Sequence, residues 1–292
     1  MAYRLYNTLR LHGRDTVFFA LQALNTINRA TKDANNPLVI CNSFPKSGTH
    51  LLGQILDNMP NAKTWHDIVS VQALSGVMNT GNHIQWKIAS APVGAVVRTH
   101  LMCYDEIKEI LKKRNHKRFF IYRDLRDVAI SHANWVVKEP RIFLHGIYND
   151  LPTFDERLMY SIKGTPLGTP FTSNLSNPDI GLDFRRYLGW ISDPDTLAVK
   201  FEELVGARGG STDELRFETI RKIVNHLEIE MSDSEIKSRF SNESLNPSTT
   251  RTFNKGKMRQ WEEKFTPEHK QAFKAVAGDL LIELGYEKDL NW

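Results

Sequence analysis

The sequence predicts an α/β fold, a central parallel β-sheet flanked by helices, and three observations carry that prediction. Short apolar runs rich in β-branched and aromatic residues recur along the chain: Leu38-Val39-Ile40-Cys41, Ala95-Val96-Val97, Arg118-Phe119-Phe120-Ile121-Tyr122 and Thr196-Leu197-Ala198-Val199-Lys200-Phe201. They are continuous rather than alternating, as in strands buried on both faces. Segments of helical periodicity separate them, so strand and helix alternate as in βαβ units.

Each element follows from its own pattern. Residues 3–31 carry Leu5, Leu9, Val17, Leu21, Leu24 and Ile27 at helical spacing, interrupted at Gly13. This predicts an amphipathic N-terminal helix within 1–34 that packs on the body or on a partner subunit. After the polar break Thr31–Pro37 comes the first strand, then the loop Pro45-Lys46-Ser47-Gly48-Thr49. A helix follows over Thr49–Met59, with Leu51, Leu52, Ile55, Leu56 and Met59 on one stripe and a stop before Pro60. Tyr104–Lys113 and Asp124–Val137 read as the next helices. Glu139–Asp183, rich in glycine and proline around Gly164–Pro170, reads as a lid or acceptor-binding insertion. Helical character returns over Phe184–Ile191, Asp213–Leu227 and Pro267–Leu284. One domain over residues 1–292 is expected.

Composition narrows the class. With 38 Lys and Arg against 34 Asp and Glu, the chain carries a formal charge of +4 and no basic run that would track nucleic acid; a small anionic ligand fits better. Cys41 and Cys103 are the only cysteines and have no zinc-ligand spacing, so neither a disulfide framework nor a metal is expected. No secretory leader is apparent, and no stretch reaches the roughly 18 apolar residues of a membrane span. The expected location is cytoplasmic. Oligomeric state stays open, with a homodimer among the options.

The PKSGT loop has the parts of an anion cradle. Gly48 permits close backbone approach, Ser47 and Thr49 add hydroxyls, Lys46 adds a cation, and a helix N-terminus follows. An ordinary turn whose hydroxyls cap the helix accounts for the same string. The lysine precedes the glycine, so the loop is not the Walker A pattern of kinases and ATPases.

Phe44-Pro45-Lys46-Ser47-Gly48-Thr49 resembles the 5′-phosphosulfate loop of the PAPS-dependent sulfotransferases, the cytosolic type and its bacterial relatives. Arg123-Asp124-Leu125-Arg126-Asp127-Val128-Ala129-Ile130-Ser131 resembles that family's second signature, and Arg98-Thr99-His100-Leu101 its K-T-H-L segment. Asn254-Lys255-Gly256-Lys257-Met258-Arg259-Gln260-Trp261 is similar to the C-terminal RKGxxGxW segment, with Asn254 in place of arginine and Arg259 in place of the second glycine. Phe201-Glu202-Glu203-Leu204 is similar to Y-E-D-L, and the family's tryptophan after the loop falls on Leu51.

The resemblance implies a P-loop-like PAPS-binding fold and transfer of a sulfuryl group from PAPS to a small-molecule acceptor, releasing PAP without a metal. It implies His100 as general base and Lys46 as the cation on the leaving oxygen. Pro45, Lys46, Ser47, Gly48, Thr49 and His50 hold the 5′ end, Arg123 and Ser131 the 3′-phosphate, Phe201 the adenine, and Asn254, Lys255 and Gly256 close over the donor. A hydroxyl, or an amine or guanidine nitrogen, is the implied nucleophile. From other classes, a non-catalytic nucleotide-binding module and an unusual nucleotide kinase share some of these features.

Overall fold

The structure is a computed structural model that describes residues 36–72, 78–165, 177–241 and 257–292. The expected N-terminal helix lies outside them. Among the described residues, five parallel strands form one sheet in the order β2-β3-β1-β4-β5: β1 (Leu38–Ser43), β2 (Lys63–Ser70), β3 (Ala95–His100), β4 (His116–Tyr122) and β5 (Thr196–Lys200). β1 is central. Val39 to Asn42 pair with Val96 to Thr99 of β3, and Leu38 to Ser43 pair with His116 to Ile121 of β4.

The continuous apolar runs of β1, β3 and β4 are explained by burial on both sides, whereas β5, expected to be buried as well, is a half-buried edge strand. Leu38 and Ile40 point into one apolar core, Val39 and Cys41 into a second one across the sheet. Helix α1 (Thr49–Asp57) buries Leu52, Ile55 and Leu56 in the second core, joined there by α9 (Asp213–His226). The opposite face carries α2 (Gly81–Ser90), α3 (Asp105–Lys112), α4 (Leu125–Val136), α7 (Ile180–Leu188) and α12 (Pro267–Glu283). The chain leaves β1 toward one edge and later crosses to the other. A sheet wound this way opens a crevice beyond the carboxyl ends of its central strands.

Two regions depart from the sequence prediction. β2 and α2 carry no apolar run: Lys63-Thr64-Trp65-His66-Asp67-Ile68-Val69-Ser70 is an edge strand with a single neighbour, and its register shifts between Thr64 and Ile68. An edge needs no continuous burial, so the sequence signal is weak. The stretch 139–183, which the sequence reads as a lid or acceptor-binding insertion without assigning it a helix, contains α5 (His145–Asp150) and α6 (Phe154–Lys163) before α7 begins. Thr153 and Glu156 form a capping box at the start of α6, and Leu158, Ile162 and Tyr148 are buried. The small elements α8 (Phe201–Leu204), α10 (Asp233–Arg239) and α11 (Trp261–Lys264) complete the described fold.

Helices α7 and α12 touch at Gly181, where an added Cβ would stand 1.9 Å from the Val276 carbonyl oxygen. Backbone cannot rotate away as a side chain can. Gly181→Ala is therefore expected to cost about 1–3 kcal/mol, seen as a lower urea midpoint with an unchanged slope. An unchanged midpoint would mean the two helices separate freely.

Candidate active site

The loop after β1 turns tightly. The Ser47 N–H donates to the Phe44 carbonyl at 3.2 Å, and Phe44 is locked edge-on against Phe184 and Tyr187 of α7. Lys46 has φ 69° and Gly48 φ 108°, both left-handed. For a non-glycine residue that conformation costs roughly 1–3 kcal/mol, so the fold overrides local preference to present Lys46. Gly48 has a further constraint: a Cβ there would lie 2.7 Å from the Phe201 ring and 3.1 Å from Ile121.

A hydroxyl-capped turn does not describe this loop. No side chain caps α1. The Thr49 hydroxyl instead contacts the Ser43 hydroxyl at 2.6 Å, while Ser47 Oγ is buried with no partner among the described residues. The first turn of α1 thus offers backbone donors and a spare hydroxyl at one place, the arrangement that suits an anion.

His100 ends β3 beside this loop. Its Nδ1 lies 3.1 Å from the Ser43 carbonyl oxygen and 3.1 Å from Ser43 Oγ. A carbonyl can only accept, so Nδ1 carries the proton and Nε2 holds the free lone pair. Ser43 Oγ can then donate to Thr49 Oγ1, leaving the Thr49 proton for a bound anion. Desolvation pushes the imidazole down to about 4, with the Ser43 carbonyl opposing and His50 and Lys46 adding to the fall. His100 is neutral at physiological pH. Asn42 fixes the strand end: its Oδ1 accepts from Thr99 Oγ1 and Leu101 N, each at 2.8 Å, and its Nδ2 donates to the Leu101 carbonyl.

Lys46 reaches across to α4, where its Nζ stands 4.4 Å from the centre of the Trp135 ring. Burial and the Arg123 cation lower it to about 8. His50 is lowered by desolvation and by the Arg98 and Lys46 cations. One turn before Trp135, His132 Nδ1 lies 3.1 Å from the Tyr148 hydroxyl, which sits 2.8 Å from Ser161 Oγ. Desolvation first, then Lys46, brings His132 to about 4. Lys46 therefore acts electrostatically on His50, His100 and His132 together.

Arg123 follows β4. Its Nη2 donates to Asp127 Oδ2 at 3.0 Å and to the Lys257 carbonyl at 2.6 Å, and its guanidinium lies 4.3 Å above the Phe201 ring. Arg123 Nε is buried with no partner among the described residues. Phe201 is 5% exposed, so its ring supports Arg123 and Gly48. Ser131 is half-buried in α4, two turns along. Buried ion pairs do form around the start of this helix. Arg126, 2% exposed, pairs with Asp124 and Glu287 between the faces of Trp261 and Trp292.

The structure thus gathers Pro45, Lys46, Ser47, Gly48, Thr49 and His50 around one loop, with His100 and Arg123 on the adjoining strand ends. Arg98 points elsewhere, pairing with Asp57 of α1 across Gly53. Asn254, Lys255 and Gly256 lie outside the described residues, but the next residue, Lys257, reaches the site through its carbonyl on Arg123. Arg259, at the position of the family's glycine, keeps the left-handed backbone, φ 56°. Sequence reasoning missed Asn42, Ser43 and Trp135, and gave no site role to Asp127 and His132, which stand in or beside the second signature. Asn42 and Ser43 carry a visible signal, being polar residues that continue an apolar strand. Among the described residues, no group of three His, Cys, Asp or Glu could hold a metal ion, and no helix is long and apolar enough to cross a membrane.

No family model matches the chain, and no curated protein matches it in sequence. Solved structures do. The mouse sulfotransferase SULT7A1 complexed with PAP superposes with a TM-score of 0.59 at 20% identity, over 87% of this chain and 88% of that one. Retinol dehydratase in complex with androsterone and the inactive cofactor PAP gives 0.54 at 16% identity, over 87% and 84%. The same protein with retinol and PAP gives 0.55 at 15%, over 87% and 85%. The likeness covers 87% of this chain and shows that it has the sulfotransferase fold.

Proposed function

We propose that this protein is a PAPS-dependent sulfotransferase acting on a small-molecule nucleophile, with His100 as general base and Lys46 as the cation that steadies the leaving oxygen. One juxtaposition carries the proposal: an uncapped helix N-terminus with a spare buried hydroxyl, joined through Ser43 to a neutral imidazole whose Nε2 is free. The first is what a phosphosulfate needs and the second is what an incoming hydroxyl needs. The three PAP-bound structures of the same fold support the donor's identity.

PAPS supplies an activated sulfuryl group. The α1 N–H groups with Ser47 and Thr49 would hold its 5′-phosphate, with His50 at the rim. Arg123, braced by Asp127 and Phe201, would hold the 3′-phosphate together with Ser131. The segment through Asn254, Lys255 and Gly256 would close over it, since its continuation at Lys257 already contacts Arg123. His100 Nε2 takes the acceptor's proton, and the imidazolium is then steadied by its Nδ1 bond to Ser43. Positioning and fixed charge do most of the work expected in such a transfer. The acceptor, a hydroxyl or a nitrogen nucleophile, would enter beside Trp135 and the α5–α6 region, which makes residues 139–183 its wall within a single domain.

Calorimetry with PAP and with adenosine 5′-phosphate tests the donor assignment. PAP is expected to bind at least about tenfold more tightly, because the second phosphate gains a charge-assisted arginine contact. Equal affinities, or no binding of PAP, would exclude it.

A further inference from the structure

We propose that Trp135 is a positioning residue for Lys46: its indole face holds the side chain as a cation beside the donor loop. This rests on the assignment of Lys46 to the leaving oxygen, which needs the ammonium form. The lysine is poorly placed to keep its proton. Burial and the Arg123 cation at the end of β4 both act against the ammonium; His50 of α1, His100 of β3 and His132 of α4 face it as well, the last two as neutral imidazoles. The guanidinium is permanently charged, and no carboxylate is paired with Lys46 among the described residues. Among the described residues, the group that meets Nζ is the Trp135 ring, whose centre lies 4.4 Å away. An aromatic face attracts a cation and does nothing for a neutral amine.

The ring is itself held in place. His132 packs against Trp135 with centroids 6.2 Å apart, and His132 is anchored by Tyr148, which is anchored by Ser161. Helix α6 thus supports α4, which presents Trp135 to the loop after β1. The contacts form a continuous chain from Ser161 to Lys46, and all members are described.

A test need not depend on knowing the acceptor. Lys46 can be titrated directly by trace acetylation with acetic anhydride across a pH series, the extent at Lys46 being read by mass spectrometry in the full chain. In the wild type its labelling midpoint is expected at about 8, as burial and Arg123 dictate. In Trp135→Leu, which keeps an apolar neighbour and removes the π face, the midpoint should fall by about half to one pH unit, the range a cation–π contact supplies. Trp135→Phe should fall by less. If the ring only excludes water, the leucine variant would hydrate the amine and the midpoint would rise, which overturns the proposal, as would an unmoved midpoint. Should Trp135→Leu fail to fold, the phenylalanine variant decides alone, by a downward shift or its absence. PAP calorimetry on the same samples keeps the two claims apart: loss of PAP binding in the wild type rejects the sulfotransferase assignment, while an unmoved Lys46 rejects only the role of Trp135.

Discussion

His100→Ala should reduce sulfuryl transfer by about 10³- to 10⁴-fold, the upper range for removal of a general base, while PAP affinity changes by less than about twofold. The separation follows from geometry. His100 is hydrogen-bonded to Ser43 at the end of β1 and to none of the residues Pro45 to His50 that would hold the donor. The pH profile should carry the same signature. With His100 at about 4 and Lys46 at about 8, kcat/KM in the wild type should be level between those values, falling below pH 4 as the base is protonated and above pH 8 as Lys46 loses its proton. Stability has its own sign. His100 and His132 sit near 4 in the folded protein against about 6.5 unfolded, so below pH 6.5 the unfolded chain takes up protons that the folded chain refuses. Their contribution is full above pH 6.5 and is lost as pH falls toward 4. His100→Ala should therefore flatten the acid limb of a urea-midpoint series; an equally steep limb would mean that His100 is not buried neutral.

Arg123→Met should weaken PAP by about a hundredfold, near 3 kcal/mol for the loss of charge-assisted bonds to a phosphate, while leaving adenosine 5′-phosphate almost unaffected. Methionine keeps an unbranched apolar stem, and removes the guanidinium fork together with its contact on Phe201. It also leaves Asp127, fully buried and already raised by desolvation, without its cation. Some loss of stability is thus expected, and a urea midpoint separates it from the binding effect. Arg123→Lys keeps the charge for Asp127 but loses the planar fork, so it should recover stability more than affinity. Equal losses for both nucleotides would show that Arg123 serves the architecture and not the 3′-phosphate.

Much of this site is legible in the sequence because its chemistry sits at strand ends, where apolar runs stop and polar residues begin. The inner strands β1, β3 and β4 are largely buried and read as unbroken apolar runs, and the half-buried edge strand β5 keeps an apolar run of its own, which locates Lys46, His100, Arg123 and Phe201 at their ends. Other parts are set by distance in the chain. Ser43 is linked to His100 across 57 positions, and Arg123 to Lys257 across 134. Trp135 and Lys46 meet only because α4 packs over the loop after β1. A single sequence does not encode such pairings locally. The edge strand β2 was hidden because one-sided pairing relaxes its pattern, and α5 and α6 because glycine and proline further along, around 164–170, weighed against a short helix that a capping box at Thr153 nonetheless starts.

The most direct measurement is mass spectrometry of a mixed panel of phenols, alcohols, amines and guanidines incubated with PAPS and the full chain. At least one member should gain a single sulfuryl group, in step with the appearance of PAP, and both products should form at least about 10³-fold more slowly with His100→Ala. PAPS bound and recovered intact beside an unchanged panel of every nucleophile class, or transfer at close to the wild-type rate in His100→Ala, would contradict the assignment.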